Sequence, residues 1–238
     1  MRHEPCASAP YARGVARLLD LLLPLRCAVC GQGERLLCGR CRADLLPLVP
    51  PLCARCGAPT AWPVERCTEC AGRRLAFRTA RAAVGYDRTA RALVLGWKER
   101  GLRRLADEAA ELVVEAVERP GVEAIAFVPA EAERLLWRGH NTAESLARAL
   151  AARWELPVVA PLARTGRAPR QRGRGRAERR ANVRRAFRPG GPAPRRVALV
   201  DDVYTTGATA NAAASALRRG GARTVDVIAF ARTLRAAA

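Results

Sequence analysis

Asp201 and Asp202 stand side by side at the end of the apolar run Arg196 to Val200, and three threonines and a glycine follow at once in Val203-Tyr204-Thr205-Thr206-Gly207-Ala208-Thr209. An alanine-rich stretch from about Thr209 to Arg219, stopped by Gly220-Gly221, reads as a helix, and Thr224 to Phe230 reads as a returning strand. The motif therefore sits in a strand, loop, helix, strand unit. At the start of such a helix, unpaired amides and the positive end of the helix dipole can hold a phosphate. Thr205, Thr206 and Thr209 add hydroxyl donors, and Gly207 lets the backbone come close. Two adjacent carboxylates would repel that phosphate, so they need another partner. Ribose hydroxyls suit them, as does a magnesium ion bridging hydroxyls and diphosphate. The loop has no Gly-Lys-Ser/Thr, which disfavours a generic nucleotide hydrolase. The competing reading is a strand followed by acidic helix caps with no ligand.

A second chemistry is written in the cysteines. Eight of the nine form Cys-x-x-Cys pairs, Cys27/Cys30, Cys38/Cys41, Cys53/Cys56 and Cys67/Cys70, and Cys6 stands apart as a bystander. Two thiolates of one turn can reach one tetrahedral ion, and two such turns complete a site. Seven residues separate the first two pairs and ten the last two, room for a short hairpin in each case. The spacing predicts two structural zinc sites of four cysteines, paired sequentially because each half repeats Cys-x-x-Cys-Gly and then a second Cys-x-x-Cys. A disulfide scaffold or a thioredoxin-like redox motif are the alternatives. So little apolar mass lies in this segment that metal would supply much of its folding free energy.

The elements that must position these groups follow from periodicity. Phe77 to Tyr86 reads as a strand, Thr89 to Trp97 as a helix, Leu102 to Val117 as a longer helix ended by Pro120-Gly121, and Ala124 to Val128 as a buried parallel strand closed by Pro129. Asn141 to Trp154 reads as a helix and Val158 to Ala160 as a short strand. Arg134 to Asn141 reads as a loop at the C-terminal end of a strand, where open α/β sheets place ligands. In it, Arg138 and Asn141 are candidate anion and hydroxyl contacts, or a solvated arginine and a helix cap. His140 is assigned no role.

The 238 residues fit one large or two small domains, half of them apolar, with 42 basic against 22 acidic side chains for a net charge of +20. Of that excess, +12 lies between Arg164 and Arg196. The aperiodic, glycine-bearing run Arg164 to Arg176 should be mobile, as a loop closing over an anion, an arm tracking a nucleic-acid backbone, or a solvated surface loop. Aromatic residues are only 5% of the chain, which argues against strong base stacking. All basic residues but one are arginine, and Lys98 is the exception. No apolar stretch is long enough to span a bilayer and no secretory signal is evident, so a cytoplasmic location is expected.

The 201–209 segment resembles the ribose-phosphate signature of type I phosphoribosyltransferases, and with the cysteine pairs the chain resembles the ComF family of competence-associated proteins. Leu21 to Pro24, Leu95-Gly96-Trp97-Lys98, Arg138-Gly139-His140-Asn141, and Gln171 with Arg179 and Asn182 ahead of Phe187 all fall in the family's order. Thr142 departs from it, where the family usually has glutamine, as do Val128-Pro129-Ala130 and Arg174. The resemblance implies an α/β fold, a type I phosphoribosyltransferase-like parallel sheet flanked by helices, with a small N-terminal zinc-ribbon domain. The expected division is an N-terminal helix over 1–24, a double zinc ribbon over 25–74 and the phosphoribosyltransferase-like domain over 75–238. It implies binding of phosphoribosyl diphosphate with magnesium: Asp201 and Asp202 at the ribose or its ion, Thr205, Thr206, Gly207, Ala208 and Thr209 at the 5-phosphate, Arg138 and Lys98 near the diphosphate. A phosphoribosyl transfer to an unidentified acceptor and a role in DNA uptake and transformation, with a helicase partner, follow from the same likeness. The competing class is a non-catalytic adaptor whose basic arm and zinc module contact single-stranded DNA.

Overall fold

The computed structural model describes residues 25–165 and 186–234. Cys6, the helix expected over 1–24 and the arginine-rich run from 166 to 185 lie outside those residues. Among the described residues the strands are β1 (Thr79–Gly85), β2 (Ala124–Phe127), β3 (Val158–Val159), β4 (Leu162–Arg164), β5 (Phe187–Pro189), β6 (Arg196–Tyr204) and β7 (Thr224–Arg232). The helices are α1 (Gly39–Ala43), α2 (Arg88–Glu99), α3 (Leu105–Ala116), α4 (Ala132–Arg138), α5 (Thr142–Trp154) and α6 (Ala208–Arg219).

Five strands pair in the order β1-β7-β6-β2-β3, every pair parallel. Parallel strands need crossovers that cover the sheet, so its inner strands are apolar on both faces. Ala198, Val200, Ile228 and Phe230 face a core shared with α2, α3 and α5. Val197, Leu199, Val227 and Ala229 face α6 on the other side. The α/β architecture expected from the sequence is thus present, with the cysteine segment added to it. That segment runs along the outer edge of β1. Leu48 N donates to Ala83 O (3.2 Å), Gly85 N to Leu46 O (2.8 Å) and Ala80 N to Arg55 O (3.0 Å), which covers an otherwise open edge.

Three local expectations need correction. Arg134 to Asn141 is not a loop: Ala132–Arg138 is a helix, ended by Gly139 in the left-handed conformation at φ 67°. Its apolar residues are consecutive and exposed, Leu136 at 85% and Trp137 at 71%, so they carry no helical period for a sequence reading to find. Strand β6 runs past Val200 to Tyr204, its ladder with β7 continuing through Asp201↔Ala229 to Tyr204↔Arg232. The carboxylates therefore project from within the second half of a paired strand rather than following it. Arg164 belongs to an antiparallel ribbon with β5, opposite Phe187, with its guanidinium 5.0 Å from the ring centroid.

The β1/β7 register is tied at Asp226. This buried carboxylate accepts from Arg78 Nε (2.9 Å) and Nη2 (2.5 Å) and from Thr79 Oγ1 (2.7 Å). Asp226→Ala should lower the unfolding free energy by about 2 to 3 kcal/mol, read as a lower urea midpoint at unchanged m-value, less than for a wholly buried pair because the Arg78 side chain is largely exposed.

Candidate functional site

The connection from β2 leads outward to β3 through α5, whereas the connection from β6 leads the other way to β7 through α6. Chain directions diverge at the carboxyl ends of β2 and β6, and such a divergence leaves a crevice where open sheets bind ligands. Asp201 and Asp202 lie on that edge, and the loop 205–207 rises from it into α6.

Asp202 is buried, and its Oδ2 is shared by two donors, Lys98 Nζ at 2.7 Å and Thr142 Oγ1 at 2.5 Å. Lys98 comes from the last turn of α2 and Thr142 from the first residue of α5. Asp201, half-buried, accepts the Asp202 amide at Oδ1 (2.9 Å). Burial and then the charge of Asp202 push the Asp201 carboxyl up to about 7, with Lys98, the Asp202 amide and Arg164 pulling the other way. Among the described residues, neither Asp201 Oδ2 nor Asp202 Oδ1 accepts a hydrogen bond, so each carboxylate keeps an oxygen for an outside partner.

Thr205 and Thr206 are exposed, and the amides of Thr205, Thr206 and Gly207 make no backbone hydrogen bond among the described residues. Thr206 Oγ1 accepts from Ala208 N at 3.4 Å, and Thr209 lies half-buried in the first turn of α6. Gly207 has φ 71°, and a Cβ there would lie 2.2 Å from Tyr204 Oη, so only glycine fits. Donors with no internal acceptor at the start of a twelve-residue helix are suited to an anion.

The Arg138 segment is used differently. Arg138 Nη2 pairs with Glu99 Oε1 at 2.5 Å. Asn141 caps α5, accepting from Ala143 N (3.1 Å), and ties it to β2 by donating to Val128 O (3.0 Å). His140, given no role from the sequence, lies with Nε2 3.0 Å from Trp97 O and Nδ1 3.0 Å from Arg138 O, bracing α2 against the start of α5. Arg164 Nε donates to Pro129 O at 2.9 Å. The sequence reading missed Thr142 and Arg164 as neighbours of the acids. No local signal marks either, since both arrive from other elements.

The eight paired cysteines form two groups, Cys27, Cys30, Cys38, Cys41 and Cys53, Cys56, Cys67, Cys70, the sulfurs of each within 4.8 Å of one another. The expected sequential pairing is borne out. All eight are free thiols. Four sulfurs about 2.3 Å from one tetrahedral ion lie roughly 3.8 Å apart. Cys30–Cys38 is 3.8 Å, Cys53–Cys70 3.7 Å, Cys56–Cys67 3.5 Å and Cys67–Cys70 4.0 Å. Backbone amides also point at sulfur, Cys41 N at Cys38 Sγ (3.5 Å) and Cys67 N at Cys53 Sγ (3.3 Å), an arrangement that favours thiolate. Donor set and geometry fit structural zinc at both sites.

Comparison with known proteins agrees. Residues 18–71 match the double zinc ribbon domain family. Over 208 residues the chain is 29% identical to Competence protein F of Haemophilus influenzae, covering 82% of this chain and 90% of that protein. These two matches bear out the resemblance to the ComF family. Among solved structures, glutamine phosphoribosylpyrophosphate amidotransferase from B. subtilis, complexed with ADP and GMP, aligns with 53% of this chain at 21% identity and a TM-score of 0.35. This chain spans 25% of that protein's length. Adenine phosphoribosyltransferase from Thermoanaerobacter pseudethanolicus aligns with 56% of this chain and 83% of its own at 16% identity and a TM-score of 0.35. No helix among the described residues is long and apolar enough to cross a membrane.

Elemental analysis of the purified chain should find two zinc ions, and the double variants Cys27→Ser/Cys30→Ser and Cys53→Ser/Cys56→Ser should each retain one. An intact chain with no zinc would rule out metal at both sites. For the acidic pair, the folded state binds the Asp201 proton more tightly than the unfolded chain does. Its ionisation therefore carries a stability penalty, which is absent below about pH 4 and complete above about pH 7. Asp201→Asn should be more stable than the parent at pH 8, by on the order of 2 kcal/mol, and equal to it at about pH 3.5. Urea unfolding at the two pH values checks this, and a gap independent of pH would refute it.

Proposed function

We propose that the crevice at the carboxyl ends of β2 and β6 binds phosphoribosyl diphosphate with magnesium. The observation that carries this reading is the placement of both acids and the unsatisfied amides of loop 205–207 on one strand-to-helix turn. An anion seat and a hydroxyl or cation seat thereby lie a few residues apart, the layout that a sugar bearing phosphate at one end and hydroxyls in the middle requires. Thr205, Thr206, Gly207, Ala208 and Thr209 take the 5-phosphate through amides and hydroxyls, and Asp201 and Asp202 receive the ribose hydroxyls or the ion between them and the diphosphate. The free oxygens of the two carboxylates fit an ion that draws its remaining ligands from phosphates and water. Magnesium, when bound, offsets charge on the diphosphate leaving group.

Lys98 then has two duties. It holds the Asp202 carboxylate in place, and its ammonium lies at the rim of the acidic pair where the diphosphate would approach. Arg138 is the second cation of that rim, oriented by Glu99. The reaction suited to such a site is displacement of diphosphate from ribose C1 by a nucleophilic acceptor, through a transition state with oxocarbenium character, helped by fixed positioning of the sugar. The acceptor belongs to no class that the described residues single out.

The relative's name, Competence protein F, supports placing this activity in competence; a role in DNA uptake, with single-stranded DNA and a helicase as partners, is proposed from the family resemblance alone. Reduced thiols as metal ligands suit a cytoplasmic setting. The zinc module, residues 25–74, acts as a structural platform for the 75–238 domain.

Calorimetry with phosphoribosyl diphosphate and magnesium should show one site per chain. Asp201→Ala with Asp202→Ala should abolish binding, and Gly207→Ala should weaken it at least about tenfold, because the new Cβ displaces the loop from Tyr204. Unchanged affinity in the double variant would overturn the proposal.

A further inference from the structure

Arg232 is the last residue of β7, in register with Tyr204 at the end of β6, and its side chain is 1% exposed. Its Nη1 donates to Cys56 O at 2.5 Å and its Nη2 to Glu69 Oε2 at 3.1 Å. Cys56 closes the first Cys-x-x-Cys turn of the second tetracysteine site, and Glu69 lies inside the other turn, between Cys67 and Cys70. One guanidinium therefore spans both turns that hold the metal.

The same guanidinium lies over the Tyr204 ring, 5.3 Å from its centroid. Tyr204 is buried, with Phe77 edge-on to it at 6.3 Å and 83°. Its Oη occupies the space where a side chain at residue 207 would stand. A continuous packed path thus runs from the second site through Arg232 and Tyr204 to the loop of unsatisfied amides. A parallel link joins the segment leaving that site to α6, where Asn211 Oδ1 accepts from Ala76 N at 2.6 Å.

We infer that Arg232 and Tyr204 are positioning residues that couple metal occupancy of the Cys53–Cys56–Cys67–Cys70 site to the shape of loop 205–207. The physical reason is the cost of an unsatisfied guanidinium in the interior. Among the described residues Arg232 Nε has no partner, so the two Nη contacts are what satisfy this buried cation. With the four thiolates gathered on one ion, the Cys56 carbonyl and the Glu69 carboxylate stay at the spacing of the guanidinium fork. If the two turns separate, Arg232 must repack, and Tyr204, stacked against it, no longer fixes Gly207. Among the described residues the first tetracysteine site has no such path to the loop: Cys27 and Cys41 pack into the core on the opposite face of the sheet, with α2 and α3. Linkage requires the coupling to be reciprocal, so a ligand in the loop raises the metal affinity of the second site alone. The part of this inference that concerns ligand affinity rests on the reading of the loop as an anion site. The part that concerns loop order does not.

The test uses the full chain loaded with zinc. Hydrogen exchange of the amides of 211–214, the first turn of α6 bonded back to the loop through Asn211 N to Gly207 O (2.8 Å), and calorimetry with phosphoribosyl diphosphate and magnesium are measured on the parent, Arg232→Lys, Tyr204→Phe and the two cysteine double variants. Arg232→Lys keeps the charge but cannot span two turns. It should lower zinc affinity at the second site by about tenfold, in line with other outer partners of metal ligands. It should also deprotect 211–214 and weaken the ligand by at least about fivefold. Tyr204→Phe should keep both zinc ions while deprotecting the same amides. Cys53→Ser/Cys56→Ser should act as Arg232→Lys does, whereas Cys27→Ser/Cys30→Ser should leave 211–214 protected. Parental protection of 211–214 in Arg232→Lys, or equal deprotection in both cysteine variants, overturns the coupling. If the parent binds no phosphoribosyl diphosphate, the proposed function fails while the exchange data still decide the coupling.

Discussion

Oxygen Oδ2 of Asp202 receives the Lys98 ammonium and the Thr142 hydroxyl together, and around that contact the end of α2, the start of α5 and the last third of β6 are fixed relative to one another. Two neighbouring carboxylates on a strand buried between others are an unfavourable arrangement, and burial with the charge of Asp202 pushes the Asp201 carboxyl up to about 7. At Asp202 a cation and a hydroxyl meet one carboxylate oxygen. Such local instability supports the proposal that these groups are placed for a ligand rather than for the fold. The single lysine of an otherwise arginine-based chain stands here, where a compact charge must meet one oxygen rather than bridge two.

The cysteine segment solves a different problem. With little apolar mass of its own, it gains order from four sulfurs converging at each of two points and from the sheet beneath it. The two sites straddle edge strand β1. Cys27 and Cys41 join the core on the α2 and α3 side, while Cys53, Cys56 and Cys70 join the core on the α6 side. Gly57, which follows the third cysteine pair, packs so near the Ala80 carbonyl that a Cβ would come within 2.4 Å of it, so close approach to β1 depends on that glycine. A module that reads as a separate domain in sequence is, in the folded chain, the cover of the sheet's edge.

Arginine abundance also finds a structural use. Arg55 donates to Leu75 O, Arg100 to Ala28 O, Arg119 to Trp154 O and Arg164 to Pro129 O. In each case a guanidinium satisfies a backbone carbonyl outside the regular ladders, a task that its several donors suit and that lowers the cost of irregular chain at the joints between elements. The net charge thus overstates how many cations are free to meet a partner.

What could be read from the sequence alone is what depends on residues near one another in the chain. The four Cys-x-x-Cys turns and their sequential grouping follow from spacing, because both turns of a site are joined by one short segment. The strand, loop and helix carrying Asp201 to Thr209 follow from an apolar run, a glycine and an alanine-rich stretch in direct succession. Segments with a clear period, such as Leu105–Ala116 and Thr142–Trp154, were placed to within a few residues. Tertiary structure decided everything that joins distant segments. Helix Ala132–Arg138 has no face on the core and so no period, and the sequence showed it as a loop. Lys98 and Thr142 meet Asp202 only because α2 and α5 pack on the same face of the sheet. Arg232, one arginine among many in the sequence, becomes the bridge between a metal site and the Gly207 loop because β7 lies beside β6 and brings it into register with Tyr204. Local order depends on backbone preference and spacing along the chain, whereas these contacts depend on strand order, which no single segment encodes.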